Sequence, residues 1–233
     1  MRKAVVLLSG GLDSSTCAAI AKSENFEIHA ISFSYGQRHS IEIRCAKKIA
    51  QFLEAKEHKI ITIDTGIFKN SSLTDNIEVP KNRKETDIPN TYVPARNTLF
   101  LSYALAFAEG TNSRDIFIGV TAVDYSGYPD CRPEYIEQYQ KMANLATKTA
   151  CEGNPIIIHT PLINLSKAEI IITGNKLGMK YELTHSCYSP SVEGFACGEC
   201  DSCIHRKKGF LEAKIPDPTK YYQYASTNNS KYA

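Results

Sequence analysis

The sequence predicts an α/β fold: a Rossmann-like, mainly parallel sheet with helices on both faces. Short apolar runs alternate along the chain with segments whose apolar residues recur at helical spacing. This alternation is typical of parallel strands joined by helical crossovers that cover both faces of the sheet. The chain has 233 residues, of which 42% are hydrophobic, enough for one such domain and a small appendage.

The individual elements follow from periodicity. Strands are expected at residues 4–8, 27–33, 59–63, 115–120 and 156–159. Helices are expected at residues 14–22, 41–53, 98–109, 133 to about 150, and from 166 onward. Ser166 and Glu169 have the spacing of a capping box, and Gly178 suits the end of the helix that this box begins.

Composition divides the chain into three parts. Residues 1–183 carry the strand–helix alternation, residues 184–215 are rich in Cys, Gly and Ser, and residues 216–233 are expected to be a loosely ordered tail. The middle part is expected to lack regular strand–helix rhythm and to pack on the main domain through a bound metal. Residues 65–94 form a long polar stretch, for which a functional loop and a solvated insertion are both open.

Charge and hydropathy argue against two classes of partner. With 27 Lys and Arg against 25 Asp and Glu, the formal net charge is +2, which offers no electrostatic case for nucleic acid or a membrane surface. The apolar run at residues 4–8 is too short for a signal peptide, and no run reaches about 18 apolar residues. We therefore expect a cytoplasmic protein whose eight cysteines are not a disulfide framework.

A glycine-rich loop joins the first strand to the first helix. Two glycines allow a sharp turn there, and the helix start adds unpaired N–H groups and the positive end of a dipole. The segment is thus built to bind phosphate. Its residues are Leu8, Ser9, Gly10, Gly11, Leu12, Asp13, Ser14, Ser15, Thr16, Cys17 and Ala18. A carboxylate beside phosphates needs a cation, so Asp13 is expected to contact magnesium or to orient the ligand.

Four cysteines near the end of the chain form a candidate metal site. Cys197, Cys200 and Cys203 lie within seven residues, and Cys187 lies a short loop upstream. Four thiolates satisfy tetrahedral Zn²⁺ and leave no position open, which indicates a structural site. An iron–sulfur cluster or a redox pair are the alternatives, although Arg206 stands where a ferredoxin pattern would place a fourth cysteine.

The loop Ser-Gly-Gly-x-Asp-Ser resembles the pyrophosphate loop of the N-type ATP pyrophosphatases. Further segments narrow the resemblance to the 7-cyano-7-deazaguanine synthases, the QueC family, over a region that runs to about Phe210. They are Tyr35-Gly36-Gln37-Arg38-His39, Tyr92-Val93-Pro94-Ala95-Arg96-Asn97, residues 124–134, Thr160-Pro161-Leu162, residues 166–170, and Ser186-Cys187-Tyr188 with the cysteine cluster.

The resemblance implies a reaction and its cofactors. 7-Carboxy-7-deazaguanine and ammonia would give the nitrile preQ0 on the path to queuosine. ATP, with Mg²⁺, would adenylate first the acid and then the amide and would leave AMP and pyrophosphate. One structural Zn²⁺ per chain and a homodimer are also implied, with small molecules as substrates and no nucleic-acid or membrane partner.

The remaining candidate residues flank the motifs. They are Tyr35, Gln37, Arg38, His39, Arg96, Asn97, Asp124, Tyr125, Tyr128, Asp130, Arg132 and Lys167. Their positions at predicted strand ends suggest Lys167 and Arg96 for the phosphates and Arg132 for the substrate carboxylate. The tyrosines could stack on the ring and the two aspartates could accept from it. Packing under a loop is the alternative for each tyrosine, and a helix start is the alternative for His39.

Two rival functions are open at this point. A tRNA-thiolating member of the same superfamily would carry sulfur on free cysteines and would need a basic surface for RNA. A zinc-ribbon interaction module that only senses nucleotide would bind ATP without releasing pyrophosphate.

Overall fold

The computed structural model describes residues 1–35, 41–75, 77–79, 88–123 and 128–222. The strands within these ranges are β1 (Arg2–Leu7), β2 (Phe26–Ser34), β3 (Glu57–Thr62), β4 (Asp115–Phe117) and β5 (Ile157–His159). The helices in the same ranges are α1 (Leu12–Ser23), α2 (Ile41–Phe52), α3 (Arg96–Gly110), α4 (Pro133–Ala146), α5 (Lys148–Cys151), α6 (Lys167–Lys176) and α7 (Asp201–Ala213).

In the described part of the chain the strands form one parallel sheet in the order β3-β2-β1-β4-β5. The chain winds outward from β1 to β3 and then returns to place β4 on the other side of β1. Strand order therefore reverses between β1 and β4, and ligands of open α/β sheets bind at the carboxyl ends of strands at such a point. The predicted fold class is confirmed.

Alternate side chains of β1 point to opposite faces of the sheet. Ala4 and Val6 point into one hydrophobic cluster, which also takes residues of α1, α2, α6 and α7. Val5 and Leu7 point into the second cluster, which takes residues of α3 and α4. Residues 4–7 of the strand are buried and apolar because helices cover both faces of the sheet there.

Some predicted boundaries are wrong for local reasons. The helix expected from 133 to about 150 is divided at Thr147, whose extended backbone (φ −110°, ψ 140°) separates α4 from α5. β4 ends at Phe117, three residues before the predicted end. The capping box at Ser166 is present: its side chain accepts from the Glu169 N–H, and the Glu169 side chain accepts from the Ser166 N–H.

The cysteine-rich part contains a helix that its composition did not predict. α7 begins directly after Cys200 and packs along α6. Phe210 on α7 is 2% exposed, belongs to the same core cluster as β1, and meets the ring of Tyr181 edge-on at 5.5 Å. The described residues of the long polar stretch also contribute to the core, where Phe68 and Val93 are buried.

No helix within the described ranges is both long enough and apolar enough to cross a membrane.

We predict that Phe210→Ala lowers the free energy of unfolding by about 3–5 kcal/mol, because it removes a fully buried ring and leaves a cavity. Urea denaturation of the metal-loaded protein measures this change. Leu211→Ala is the matched control, since the adjacent side chain is 79% exposed. Equal effects of the two substitutions would contradict the packing of α7 into the core.

Candidate active site

The loop between β1 and α1 has the geometry of a phosphate site. Gly10 has φ +85°, and a side chain there would lie 2.8 Å from the backbone nitrogen of Ala46 and closer still to the carbonyl oxygen of Glu42. The helix begins after Gly11, which gives no side-chain cap. The first N–H groups of α1 are therefore available to an anion at this end.

Serine side chains hold the loop in shape. The hydroxyl oxygens of Ser9 and Ser14 are 2.9 Å apart, and the Ser9 N–H donates to Ser14 Oγ at 3.1 Å. Ser14 and Ser15 each donate to the carbonyl of Gly11, at 3.2 and 2.6 Å. These bonds fix the loop before any ligand binds, so less ordering is required on binding.

The later residues of the predicted ATP-binding segment are buried. Ser15 and Thr16 are fully buried, and Thr16 Oγ1 lies 2.8 Å from the Tyr181 hydroxyl. Cys17 and Ala18 belong to the hydrophobic core. Burial raises the pKa of Cys17, so this thiol stays protonated.

A cavity of about 270 Å³ opens at the carboxyl ends of β1, β2 and β4. Its lining includes Ser9, Gly11, Asp13 and Ser14 from the loop. The other lining residues are Leu7, Leu8, Leu12, Ile31, Phe33, Tyr35, Glu42, Leu73, Arg96, Asn97, Phe100, Ile118, Gly119, Val120, Thr121, Tyr128, Cys131, Lys167, His185, Ser186, Tyr188, Ser202, His205 and Arg206.

Lys167 brings a positive charge to the phosphate end of this cavity. Its Nζ lies 2.7 and 2.8 Å from the two carboxylate oxygens of Asp13. The two side chains are 12% and 30% exposed, so the pair is shielded from solvent more than a surface ion pair. Asp13 thus orients Lys167 toward the loop, and the lysine offsets the negative charge that Asp13 places there.

Arg96 and aromatic rings line the other end of the cavity. Arg96 Nη1 donates to the Tyr35 hydroxyl at 3.2 Å, and its guanidinium carbon lies 6.0 Å from the centre of the Phe100 ring. Burial raises the pKa of Tyr35, so its hydroxyl remains neutral. Tyr128 also lines the cavity, and its hydroxyl lies 2.7 Å from Thr91 Oγ1. This end offers flat apolar surface and one cation.

Asp130 makes a structural contact, and its contact with a substrate ring stays a prediction. Its carboxylate is 6% exposed and accepts from the backbone N–H of Asn97 at 3.0 Å, at the start of α3. Asn97 in turn donates from Nδ2 to the Asp130 carbonyl and to Cys131 Sγ. Asn97 and Cys131 line the cavity, whereas Asp130 stands behind them.

Arg132 does not reach the cavity. It is exposed, its Nε donates to the carbonyl of Pro129 at 3.1 Å, and it is absent from the cavity lining. The contact of Arg132 with the substrate carboxylate stays a prediction, and the structure places this residue at the N-cap position before α4, outside the cavity lining. The predicted residues Gln37, Arg38, His39, Asp124 and Tyr125 lie outside the described residues.

The four predicted cysteines come together in one buried group. The ligand atoms of Cys187, Cys197, Cys200 and Cys203 all lie within 4.8 Å of one another, and each side chain is at most 5% exposed. The sulfurs of Cys197 and Cys203 are 3.9 Å apart. Zn–S bonds of about 2.3 Å in a tetrahedron place sulfurs about 3.8 Å apart, so the spacing fits such an ion.

Backbone N–H groups further suit this cluster to thiolates. Cys197 N–H donates to Cys187 Sγ at 3.2 Å, and the N–H groups of Glu199 and Cys200 donate to Cys197 Sγ at 3.4 and 3.3 Å. Hydrogen bonds to sulfur favour its charged form. The donor set of four sulfurs fits a soft or borderline divalent ion and leaves no ligand position for substrate.

Comparison with known proteins identifies the family. The family model described as "Queuosine biosynthesis protein QueC" matches residues 3–214. The chain belongs to the QueC family.

Members of the QueC family from several bacteria are similar over nearly their whole length. The 7-cyano-7-deazaguanine synthase of Desulfatibacillum aliphaticivorans is 62% identical over 94% of this chain and 96% of the relative. The synthase of Legionella pneumophila strain Corby is 57% identical, over 95% and 97%. That of Myxococcus xanthus is 54% identical, over 97% and 100%.

A solved structure supports the fold alone. The NMN synthetase from Francisella tularensis superposes with a TM-score of 0.51 at 17% identity and covers 92% of this chain and 78% of its own.

Several cavity residues are missing from the sequence-based candidates. They are distant from the loop in sequence and are brought to it by the cysteine segment and by α2. These cavity residues are Glu42, His185, Ser186, Tyr188, Ser202, His205 and Arg206. All but Glu42 lie within three residues of a predicted metal ligand. A metal site packed on the domain could have pointed to them, because rigid ligands fix the direction of their neighbours.

Gly209 gives Lys167 the space that it needs. A side chain at Gly209 would lie 2.9 Å from Lys167 Cβ, closer still to Lys167 Cγ, and 3.0 Å from Ile171 Cδ1. The stem of Lys167 therefore passes directly against α7. Any side chain at position 209 must displace it.

We predict that Gly209→Ala weakens binding of ATP about tenfold, or about 1.4 kcal/mol, because the displaced lysine loses its alignment with Asp13. Equilibrium binding measures the effect. Alanine has a higher helix propensity than glycine, by up to about 1 kcal/mol, and this gain offsets a decrease in the free energy of unfolding caused by the substitution. Lys208→Ala, on an exposed position of the same helix, is the control. Unchanged ATP binding in Gly209→Ala would contradict this role.

Proposed function

We propose that the chain is a 7-cyano-7-deazaguanine synthase that acts as an ATP-dependent ligase. It converts 7-carboxy-7-deazaguanine and ammonia to 7-cyano-7-deazaguanine, and each ATP is cleaved to AMP and pyrophosphate. The observation that carries the proposal is one cavity in which the glycine-rich loop and Lys167 face a wall of aromatic rings with Arg96. The names of relatives that are 54–62% identical support the substrate.

The chemistry requires activation of a poor leaving group. An oxygen of the carboxylate attacks the α-phosphorus of ATP, and pyrophosphate leaves. Ammonia then attacks the acyl carbon, AMP leaves and a proton is lost, which gives the amide. The amide oxygen attacks the α-phosphorus of a second ATP, and pyrophosphate leaves. Loss of AMP and of both protons from nitrogen then gives the nitrile. Two molecules of ATP are thus consumed for each nitrile.

The residues divide this work between the two ends of the cavity. The N–H groups at the start of α1 and the Lys167 ammonium hold the pyrophosphate portion of ATP, which enters as its magnesium complex. Lys167 is already aligned by Asp13, so charge that develops on the leaving pyrophosphate meets a fixed cation. At the other end, rings such as Tyr35 and Phe100 offer stacking surface, and Arg96 provides a second positive charge.

The geometry does not favour the two rival functions. A sulfur-carrying enzyme needs an accessible, ionisable thiol at its site, but the four clustered cysteines are buried together and burial raises the pKa of Cys131 to about 12. Cys151 is exposed but does not line the cavity. A zinc-ribbon module that only senses nucleotide would not require its cysteine segment to share a site with the glycine-rich loop. Residues next to the clustered cysteines nevertheless line the same cavity as that loop. We further propose that the protein works as a cytoplasmic homodimer without a nucleic-acid or membrane partner.

The four cysteines are proposed to hold one structural Zn²⁺. When bound, the ion neutralises the thiolates and joins the start of α7 to the loop that carries Cys187. It takes no part in the chemistry, because its four ligand positions are filled by sulfur. The residues that it fixes include Ser186 and Ser202, which lie next to two of the ligands and line the cavity.

We predict that the purified protein converts ATP to AMP and pyrophosphate over repeated turnovers only when 7-carboxy-7-deazaguanine and ammonium are both present. Mass spectrometry should identify the nitrile at one molecule per two AMP. Lys167→Ala should lower kcat/KM at least about 100-fold, as expected for loss of an oriented cation on the reacting phosphates. Lys176→Ala, on an exposed turn of α6, is the matched control.

Two results would contradict the proposal. One is nucleotide turnover that proceeds without formation of the nitrile. The other is wild-type kcat/KM in a folded Lys167→Ala variant.

We also predict one zinc ion per chain by elemental analysis, with Cys187, Cys197, Cys200 and Cys203 protected from a maleimide. Replacement of any one ligand by alanine should leave an incomplete site, with zinc content well below one and the other three thiols labelled. Cys151→Ala removes an exposed cysteine outside the cluster and is the control. Labelling of all four thiols in freshly purified protein would argue against a metal, and bound iron would argue for a cluster instead.

A further inference from the structure

Residues 216–222, here called the strap, are joined to the cysteine segment. The N–H of Ala196 donates to the carbonyl of Lys220 at 2.9 Å, and the N–H of Tyr222 donates to the carbonyl of Ala196 at 3.0 Å. Ala196 directly precedes the ligand Cys197. The strap begins after residue 214, where the match to the family model ends. These seven residues, the start of the predicted loose tail, therefore have defined partners.

The strap also covers the cysteine cluster. Tyr221 and Tyr222 belong to the small apolar cluster that surrounds the four sulfurs. The Nζ of Lys207 lies 4.3 Å from the centre of the Tyr221 ring and donates to the carbonyl of Gly198 at 3.0 Å. Lys207 thus contacts both the Tyr221 ring and the turn between Cys197 and Cys200, and these two contacts hold Tyr221 against the cysteine cluster. The Tyr221 ring packs against the cluster that contains the four sulfurs.

A buried ion pair ties the strap to α7. Arg206 is 3% exposed, and its Nε donates to Asp217 Oδ1 at 3.1 Å. Asp217 also accepts from the Tyr221 hydroxyl at 2.6 Å and from the Thr219 N–H at 3.0 Å. A buried guanidinium without a counter-ion is strongly unfavourable, so Asp217 is required to keep Arg206 where it is.

The other donors of Arg206 reach toward the cavity. Nη1 donates to Thr184 Oγ1 at 2.8 Å and to Ser186 Oγ at 3.4 Å, and Nη2 donates to the Tyr181 carbonyl at 3.3 Å. Between the two hydroxyl groups, the N–H of His185 donates to the carbonyl of Gly10 at 2.9 Å. The segment that Arg206 holds is therefore bonded to the phosphate loop itself.

We propose that the strap has two roles: it shields the bound metal, and it positions Arg206 so that the loop Thr184–Ser186 supports the phosphate site. Asp217 and Tyr221 are positioning residues, since neither lines the cavity. The first role rests on the metal site of the proposed function. The second role depends only on the contacts between the strap, Arg206 and the phosphate loop.

Two truncated chains test the strap as a whole. One ends at Tyr222 and keeps it, and the other ends at Ile215 and lacks it. We expect the chain ending at Tyr222 to release zinc to a chromogenic chelator at the full-length rate. The chain ending at Ile215 should release it at least about ten times faster, with a KM for ATP raised about fivefold. Equal release rates and equal KM values for the two chains would overturn the proposal.

Point variants of the full chain separate the two roles and remain informative if the shorter chain does not fold. Tyr221→Ala should accelerate zinc release several-fold, whereas Tyr221→Phe keeps the covering ring and should not. Asp217→Asn should raise the KM for ATP several-fold with little change in kcat. Glu212→Gln, on an exposed site of α7, is the control.

The outcomes distinguish this inference from the proposed function. If Asp217→Asn matches Glu212→Gln in KM and Tyr221→Ala matches Tyr221→Phe in zinc release, the strap has neither role, while the synthase activity can still stand. If the full-length protein binds no zinc, the metal site and the shielding role are both wrong, and the KM of Asp217→Asn alone decides the positioning role.

Discussion

The candidate site depends on the ion pair between Asp13 and Lys167. A loop that presents N–H groups and a helix dipole to phosphate is weakened by a carboxylate at the same place. Asp13 is tolerated there because both of its oxygens contact Lys167 Nζ, at 2.7 and 2.8 Å. In return the carboxylate fixes a flexible lysine that would otherwise lose side-chain entropy on binding. One contact therefore joins the first helix to α6 and sets the charge beside the glycine-rich loop.

This arrangement explains why the cysteine segment belongs to the active site. Lys167 has room for its stem only because α7 presents Gly209 at the point of contact. α7 in turn is held at its start by Cys200 and Cys203 and along its length by Phe210 in the core. A bound metal would thus stabilise more than its own loop, since the same helix contacts the stem of Lys167.

Local signals predicted much of this structure. Apolar periodicity placed the strands and most helices, because burial on both faces of a parallel sheet leaves a clear pattern. Ser166 and Glu169 began α6 as expected, since a capping box acts over four residues. The grouping of the four cysteines also followed from spacing, as three of them share one short turn. In each case the interaction that decides the structure joins residues near one another in sequence.

What the sequence could not predict depends on contacts between distant residues. Asp130 and Arg132 lie two residues apart in one motif, yet the Asp130 carboxylate accepts from the Asn97 N–H at the start of α3, whereas Arg132 is exposed. α7 was hidden because cysteine, glycine and charged residues obscure its apolar period. Its position depends instead on Phe210 in the core and on Asp217, whose charge balances a buried arginine eleven residues earlier. Such a pairing has no local signature, and only the folded chain shows that a tail residue supports the phosphate loop.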